Sequence, residues 1–271
     1  MAAGAYDALS ARMAEQAGFE CVYASGSSIA ASLLGRPDVG LTTFTEMADQ
    51  VGRMSAIVNA PLLADADTGY GNALNVMRTI REYERAGAAG LHIEDQVMPK
   101  KCGHFEGKEL IPAEEMVGKI HAALEARTDP DFFLIARTDA RTVAGLEEAI
   151  SRARTYSAAG ADAIFVESPR SIEEYAEIRR ALPDTILVAD ITEGGKSPAL
   201  PVAEYDRLGF QIVLFSASAI RAVMRTLQAF YAQARLDGGT HGLLEGIVEF
   251  EERNLILDLA GMQAIEQRFA R

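Results

Sequence analysis

Short apolar runs alternate with longer amphipathic segments along most of the chain. The apolar runs are Cys21–Ser25, Leu62–Asp65, Gly90–Glu94, Phe132–Arg137, Ala163–Glu167, Ile186–Asp190 and Gln211–Ser216. The intervening segments space their apolar residues by three and four positions, as a helix with one buried face does. The clearest of these segments are Asn75–Ala86, Pro112–Ala126, Ala144–Ala159 and Ser171–Leu182. Strands alternating with helices predict a parallel sheet of the α/β class.

A closed (β/α)8 TIM-type barrel needs eight strands, one more than these runs supply. The missing strand can only lie at the start, within Ala2–Tyr6, ahead of a helical pattern over Ala8–Ala17. Residues 218–271 are helical in pattern, and this tail is longer than one closing helix requires. We therefore predict a single barrel domain over residues 1–271, with part of the 218–271 tail packed on another subunit.

Nearly every predicted strand ends in a polar residue. These residues are Ser25, Asp65, Glu94, Arg137, Glu167, Asp190 and Ser216, with Asp67 just beyond Asp65. Barrel enzymes build their active sites at the carboxyl ends of the strands. We therefore expect these side chains to surround one site.

The composition limits the partners and the compartment. A net charge of −13 disfavours nucleic acid and anionic membranes as partners, so a small carboxylate substrate must be captured by local positive charge. No apolar run is long enough to predict a membrane span, and the first residues lack the basic start and apolar centre expected of a signal peptide. Two cysteines provide no disulfide framework, which predicts a cytoplasmic location.

Two carboxylates two positions apart, Asp65 and Asp67, follow one strand, and Glu94 ends the next. On an extended strand, residues two apart point the same way. An all-oxygen cluster of this kind suits Mg²⁺. The alternative is an ordinary acid pair at a helix N-terminus.

Cys102 lies in a long loop beside Lys100, Lys101 and His104. Cations stabilise a thiolate, and long loops of this kind are commonly lids, so we predict a catalytic cysteine. The alternative is a small buried side chain, the usual fate of a free cysteine and the one we predict for Cys21.

Arg137 ends a strand and shares the parity of Phe133 and Ile135. An inward guanidinium is a bidentate clamp for a substrate carboxylate, and Glu167 is placed to orient it. A structural ion pair is the alternative. His92 shares the parity of Glu94, and the sequence leaves open whether it is a core histidine or a catalytic one.

Several stretches spread over the chain resemble signatures of the isocitrate lyase/phosphoenolpyruvate mutase superfamily. They are Gly4–Ser10, Tyr23–Gly26, Leu34–Asp38, Asp65–Gly71, His92–Gln96, Lys100–His104 and Ala136–Ala140. Within that superfamily the Lys-Lys-Cys-Gly-His loop marks the carbon–carbon lyases. Pro99–Gly107 and Glu193–Pro198 are most similar to the 2,3-dimethylmalate lyases and then to the 2-methylisocitrate lyases.

The resemblance implies a barrel whose C-terminal helix is swapped between subunits, in a homotetramer that is a dimer of dimers. It implies that Mg²⁺, or alternatively Mn²⁺, is held by Asp65, Asp67 and Glu94. The substrate-binding residues it implies are Ser25, Gly26, Ser27, Asp38, Gly103, Arg137 and Asp190. The catalytic residues it implies are Tyr23, Lys101, Cys102, His104, Arg137 and Glu167.

One residue departs from the family pattern. Lyases of the family usually carry Asn at the end of the seventh strand, where its amide donates to a second substrate carboxylate, and this chain has Asp190. A carboxylate facing a carboxylate is repulsive unless one is protonated or a cation intervenes. Lys196 is a cation that could compensate.

The leading hypothesis is retro-aldol cleavage of a 2-hydroxy di- or tricarboxylate to pyruvate or a related 2-oxoacid plus a carboxylic acid. The thiol of Cys102 protonates the departing fragment, Lys101 and His104 stabilise the resulting thiolate, and the base is either Tyr23 or a carboxylate at the metal. An oxaloacetate decarboxylase or related oxoacid hydrolase is the second hypothesis. A non-catalytic 2-oxoacid-binding protein, which Asp190 would favour, is the third.

Overall fold

A computed structural model describes residues 1–270, in which eight parallel strands close into a barrel in chain order. The strands are β1 (Ala2–Ala5), β2 (Cys21–Ala24), β3 (Leu62–Asp65), β4 (Gly90–Glu94), β5 (Phe133–Thr138), β6 (Ala163–Val166), β7 (Ile186–Asp190) and β8 (Ile212–Phe215). The strand missing from the apolar pattern is β1, which pairs with both β2 and β8 and so closes the barrel. The predicted TIM-type fold is confirmed.

Helices follow the strands, and several begin at a residue whose side chain caps the first turn. The helices are α1 (Ala8–Gln16), α2 (Gly26–Leu34), α3 (Phe44–Ser55), α4 (Ala73–Arg85), α5 (Ala113–Ala126), α6 (Ala140–Val143), α7 (Leu146–Ala158), α8 (Ile172–Ala181), α9 (Val202–Arg207), α10 (Ser218–Asp237), α11 (Phe250–Ile256) and α12 (Leu259–Phe269). A short 3₁₀ helix spans Leu244–Gly246.

Four helices, the longer α2 and α3 and the short α6 and α9, lie outside the segments that the apolar spacing picks out. The start of α3 carries a local signal, because Thr43 and Glu46 form a capping box. In α2 small residues outnumber large apolar ones, so its helical stripe is faint in the sequence. Its first residue, Gly26, is nevertheless part of the site described below.

The alternation of side chains along each strand explains why the polar residues gather inside the carboxyl end of the barrel. A layer of inward side chains fills the barrel, among them Tyr23, Leu63, Ile135, Phe165, Val188 and Leu214. Residues two positions later on each strand point the same way. The next layer toward the carboxyl ends is therefore Ser25, Asp65, Arg137, Glu167, Asp190 and Ser216, with Glu94 from β4.

The chain forms two compact units, residues 1–220 and the segment from residue 221 onward. The first unit holds the complete barrel. The second, as far as residue 270, is helical and exposes large apolar side chains such as Leu236, Phe250 and Leu255, at 79%, 73% and 75%. Nowhere in residues 1–270 does a helix combine the length and the apolarity needed to cross a membrane. The single-domain organisation and the helix exchange stay predictions.

Candidate active site

An acidic cluster lies where β3 and β4 end. One side-chain ligand atom from each of Asp65, His92 and Glu94 lies within 4.8 Å of the others, and all three residues are buried. Asp65 is fixed from two sides, since its Oδ2 accepts from the Gly26 N–H at 3.2 Å and its Oδ1 from the Asp67 N–H at 3.0 Å. The sequence prediction of Asp65 and Glu94 as neighbours agrees with this geometry, and His92 joins them.

Asp67 is placed differently from what strand parity predicts. Strand β3 ends at Asp65, and Asp67 adopts a left-handed backbone conformation with φ of 49°. Its Oδ1 lies 2.7 Å from Nζ of Lys100, which also pairs with Asp38 at 2.8 Å. Burial would lower the pKa of Lys100, but Asp67 and Asp38 raise it well above its usual value, so Lys100 is a buried cation between two carboxylates.

The donor set fits a divalent cation. Within residues 1–270 both oxygens of Glu94 and Oδ2 of Asp67 are buried without a hydrogen-bond partner. Burial raises the pKa of Glu94 well above its usual value, although Arg137 and Lys100 oppose the rise. Buried carboxylates that lack donors are costly unless a cation compensates them. An oxygen-coordinating divalent ion would supply that compensation.

Tyr23 and His92 meet on the barrel floor next to the cluster. The Tyr23 hydroxyl lies 2.8 Å from Nε2 of His92, which is itself 3.7 Å from Oδ1 of Asp65. Burial lowers the pKa of His92 to about 4, so the ring is neutral. Burial and Asp65 raise the pKa of Tyr23 well above its usual value, so its phenol stays protonated. Of the two candidate bases that the sequence left open, this favours a carboxylate over Tyr23.

Arg137 reaches into the site from β5 and is held mainly by a residue that the sequence reasoning missed. Asp139 accepts from Nε of Arg137 at 3.0 Å and from Nη2 at 3.2 Å. Glu94 and Glu167 lie farther from the guanidinium, at 3.3 and 3.6 Å. Glu167 therefore contributes to the orientation of Arg137, but Asp139 is the principal partner. The sequence contained a signal for this residue, because the family motif Ala136–Ala140 includes Asp139.

His104 lies between two carboxylates at the mouth of the barrel. Its Nε2 is 3.5 Å from Glu167 and 3.8 Å from Asp190. Its Nδ1 accepts from the backbone N–H of Lys196 at 3.1 Å, which assigns the ring proton to Nε2. Among the described residues Nε2 makes no hydrogen bond, so this N–H is available to an oxygen of a substrate.

Asp190 is a charged residue despite its burial. Burial would raise its pKa, but the neighbouring imidazole of His104 and hydrogen bonds from Ser216 and Thr192 lower it. The hydroxyls of Ser216 and Thr192 donate to its two oxygens at 2.6 and 2.7 Å. The side chain of Lys196 does not compensate this charge, because its ammonium pairs with Glu106 at 2.6 Å.

Cys102 is half-buried and lines the same cavity. Burial raises the pKa of its thiol to about 11, and Asp38 and Glu167 act in the same direction. The lysines next to Cys102 in the chain have other partners in this structure: Lys100 pairs with Asp38 and Asp67, and Lys101 donates to the Gly107 carbonyl at 2.6 Å, so stabilisation of a thiolate by Lys101 stays a prediction. The resting group is a thiol, which is the form a general acid needs.

The start of α2 forms another wall. Ser25 is the N-cap, and its hydroxyl lies 3.4 Å from that of Ser27. A Cβ on Gly26 would lie 2.5 Å from Oδ2 of Asp65, so only glycine allows this helix to approach the acidic cluster. Gly103 is required for a similar reason, because a Cβ there would lie 2.5 Å from Glu167. The Gly26 N–H is donated to Asp65 and the Ser28 N–H to the Ser25 hydroxyl, so α2 favours an anion through the dipole of its N-terminus and the hydroxyls of Ser25 and Ser27.

One cavity gathers most of the predicted site residues. Its lining includes Tyr23, Ser25, Ser27, Asp38, Asp65, Cys102, Gly103, His104, Arg137, Glu167 and Asp190. Glu94 and Asp67 lie at its metal end without lining it, and the side chain of Lys101 points to its own loop. A cavity with an acidic cluster that fits a metal ion at one end, an arginine and a protonated thiol suits proton transfer to a carbanion formed next to a carboxylate.

Comparison with known proteins places this arrangement in a family. The family model described as phosphoenolpyruvate phosphomutase matches residues 1–235. The 2,3-dimethylmalate lyase of Eubacterium barkeri is 46% identical over 273 residues, covering 100% of this chain and 93% of the relative. The 2-methylisocitrate lyase of Aeropyrum pernix is 43% identical over 270 residues, covering 100% and 85%.

A solved structure agrees with the sequence relatives. Phosphonopyruvate hydrolase in complex with oxalate and Mg²⁺ has a TM-score of 0.91 at 34% identity, covering 100% of this chain and 94% of that one. The predictions of family and of a lyase-type enzyme are confirmed by these relationships. The chain belongs to the phosphoenolpyruvate mutase/isocitrate lyase superfamily.

Proposed function

We propose that this chain is a magnesium-dependent carbon–carbon lyase that cleaves a 2-hydroxy di- or tricarboxylate of the 2,3-dimethylmalate or 2-methylisocitrate type. The products are pyruvate or a related 2-oxoacid and a carboxylic acid. The observation that carries the proposal is the Cys102 thiol, held protonated in the same cavity as Arg137 and Glu167. The names of the lyase relatives support the same reaction class.

The two ends of the cavity bind different halves of the substrate. Asp65 and Glu94, with Asp67 close by, hold Mg²⁺, or alternatively Mn²⁺, which supplies Lewis acidity for the ionisation of a 2-hydroxyl. Ser25, Gly26 and Ser27 bind the carboxylate of the 2-oxoacid half at the N-terminus of α2. Arg137 and the Nε2–H of His104 bind the other half.

The chemical step moves two protons and breaks one bond. A carboxylate of the cluster accepts the proton of the 2-hydroxyl, and the O–H electrons form the new C=O bond. The C2–C3 bond breaks, and its electron pair passes into the adjacent carboxylate of the departing fragment. Cys102 then donates its S–H proton to that carbon, and the Nε2–H of His104 and the guanidinium of Arg137 stabilise the thiolate that remains.

Hydrolysis or decarboxylation of an oxoacid is a second candidate. The similarity to a phosphonopyruvate hydrolase favours it, since that enzyme shares the whole barrel with this chain. In that case the metal end and Arg137 suffice, and the thiol has no part in the reaction.

The proposed assembly and location are supported by the tail and by the cysteines. The apolar side chains exposed in residues 221–270 support a homotetramer made of two helix-swapped dimers, in which a partner covers them. Both cysteines are free, which supports a cytoplasmic location.

The test is a substrate panel with Mg²⁺: 2,3-dimethylmalate, 2-methylisocitrate, citramalate and oxaloacetate, with pyruvate as the measured product. Release of pyruvate from any of the first three compounds, faster than from oxaloacetate, fits the proposal. Turnover of oxaloacetate alone selects the second candidate. Binding of oxoacids without turnover of any compound contradicts both.

A further inference from the structure

Lys108 is a buried cation to which the reaction assigns no role. It closes the cysteine loop, which we define as residues 100–108. Its side chain is 1% exposed, and its ammonium pairs with Asp139 at 2.8 Å. The same ammonium donates to the carbonyl of Gly103, the residue after Cys102. One buried charge thus has one partner on the barrel and one on the loop.

The barrel partner of Lys108 is also the partner of Arg137. Asp139 is fully buried, and its Oδ1 accepts from both Lys108 Nζ and Arg137 Nη2, at 2.8 and 3.2 Å. A single carboxylate oxygen therefore lies between the ammonium that contacts the cysteine loop and the guanidinium that faces the substrate. A displacement of the loop changes the surroundings of both cations.

Apart from that of Lys108, the hydrogen bonds that tie residues 102–104 to the rest of the protein come from neutral donors: the Cys102 N–H donates to the Asp38 carbonyl at 3.1 Å, the Ser168 hydroxyl to the Gly103 carbonyl at 3.5 Å, and the Lys196 N–H to Nδ1 of His104 at 3.1 Å. Lys100 anchors the start of the cysteine loop, through Asp38 and Asp67. The ion pair of Lys196 with Glu106 is made to a glutamate that is 79% exposed, and such surface pairs contribute little. Gly103 has no side chain, and its carbonyl is the group through which the barrel can hold the peptide that follows Cys102. Lys108 is the charged donor to that carbonyl, and the neutral Ser168 hydroxyl lies farther from it, at 3.5 Å.

We propose that Lys108 is a positioning residue that fixes the cysteine loop on the barrel and sets the Cys102 thiol and Arg137 in one geometry. The inference rests on the proposed function for the roles of Cys102 and Arg137, whereas the loop contact exists independently of any substrate. A buried ammonium that loses the Gly103 carbonyl keeps only Asp139, and an under-satisfied buried charge is costly. This cost favours the position of the cysteine loop that the structure shows, with the Gly103 carbonyl bound to Lys108.

The test measures access to Cys102 without a substrate. The parent is the full chain carrying Cys21→Ser, so that Cys102 is the only thiol, and the probe is iodoacetamide at pH 8. In Lys108→Met we expect the alkylation rate constant to rise at least about tenfold, because a released loop exposes the thiol to water and to the reagent. Lys108→Arg keeps a cation with several donors and should stay within about threefold of the parent.

Glu106→Gln is the matched control, since it removes an ion pair of the same loop that is exposed, and its alkylation rate should equal that of the parent. A Lys108→Met protein that alkylates at the parental rate overturns the proposal. If Lys108→Met does not fold, Lys108→Gln replaces it, and the same comparison decides: a rate above the parent supports the proposal, and a parental rate overturns it.

Activity provides the second readout. Lys108→Met should lower kcat about 10²-fold while the affinity for pyruvate with Mg²⁺ stays unchanged, because a displaced acid affects the protonation step and leaves the metal end intact. Lys108→Arg should restore most of kcat. If no substrate of the panel is turned over, the proposed function fails, and the alkylation comparison still decides whether Lys108 holds the loop.

Discussion

Asp139 accepts two hydrogen bonds from Arg137, at 3.0 Å from Nε and at 3.2 Å from Nη2, and is itself fully buried. Its backbone N–H donates to Asp95 at 2.9 Å, and Asp95 also accepts from Thr138 and Tyr156, each at 2.8 Å. The guanidinium is therefore oriented largely by groups that do not line the cavity. Preorganisation of this kind reduces the reorganisation needed during the reaction.

Asp139→Asn should lower both activity and stability. It leaves Arg137 and Lys108 as buried cations with one neutral partner in place of an anion. Breaking a buried ion pair costs about 3–5 kcal/mol, and misplacing a catalytic group by about 1 Å costs about 10² in rate. Urea unfolding and the kcat/KM of the panel substrate measure the two effects.

The control for that variant is Glu204→Gln, which removes an exposed pair with Arg207. A surface pair contributes about 1 kcal/mol or less, so the unfolding free energy should barely change. Equal losses in the two variants would show that the burial of Asp139 has no energetic consequence.

Cys102→Ser should lose about 10²–10⁴ in cleavage rate, the usual contribution of a general acid. Its affinity for pyruvate with Mg²⁺ should be unchanged, since the thiol takes no part in holding the 2-oxoacid. Single-turnover kinetics and calorimetry test the two statements. A variant with full activity would remove the cysteine from the mechanism and favour the hydrolytic candidate.

The thiol also predicts a pH dependence. A general acid works in its protonated form, and burial raises the pKa of Cys102 to about 11. Ionisation of this group therefore causes no loss of kcat until the pH approaches 11, where the acid form begins to disappear. The measurement is kcat between about pH 6 and about pH 10. A fall in kcat at the basic end of this range that is absent in Cys102→Ser would contradict the raised pKa of the thiol.

Mg²⁺ should stabilise the fold, and more so at higher pH. Burial raises the pKa of Glu94 well above its usual value and that of Asp67 from 3.8 to about 6. A carboxyl group with a raised pKa in the folded state contributes stability below its unfolded pKa, and that contribution is lost as the pH rises through the folded value. The contribution of these two carboxyl groups to the stability of the ion-free protein should therefore fall from about pH 4 to above pH 6, whereas that of His92, whose pKa is lowered from 6.5 to about 4, rises over the same range and then stays constant.

A bound cation offsets the loss at the two carboxyl groups, so the rise in Tm caused by Mg²⁺ should be larger at about pH 8 than at about pH 5. Differential scanning fluorimetry with and without Mg²⁺ measures it. Glu94→Gln should abolish the shift, whereas Asp162→Asn, which lies just before β6 at the opposite end of the barrel, should keep it. A shift of equal size in both variants would place the ion elsewhere.

The sequence was sufficient for the barrel and for most of the wall of the site. Both follow from local rules: the alternation of strands and helices, and polar residues two positions beyond an inward apolar one. Ser25, Asp65, Arg137, Glu167 and Asp190 could be assigned to one cavity on that basis. Cys102 was predicted from its long loop and its basic neighbours, and the family resemblance added Gly103.

What the sequence could not provide is the pairing of charges across distant segments. Lys100 lies two positions from Cys102 in the chain, yet its ammonium lies between Asp38 and Asp67. Asp67 leaves the strand through a left-handed turn, so parity with Asp65 does not apply to it. Asp139 and Lys108 are separated by 31 positions and meet only because the loop folds back on β5. These choices depend on tertiary packing, which no spacing rule encodes.

Asp190→Asn should tighten the binding of substrates that carry a second carboxylate. Asp190 is ionised and, together with Glu167, flanks the only His104 nitrogen that faces the cavity. Two like charges about 4 Å apart, here Asp190 and the second carboxylate of the substrate, repel each other by about 1 kcal/mol in water and by more in a partly buried site. Because the variant removes this repulsion, KM for 2,3-dimethylmalate should fall at least about fivefold. The affinity for pyruvate should not change.

Asp184→Asn, at an exposed position before the same strand, is the control and should leave both values unaltered. A higher KM in Asp190→Asn would mean that the carboxylate is a binding group, and that the natural substrate presents a hydrogen-bond donor at this position in place of an acid.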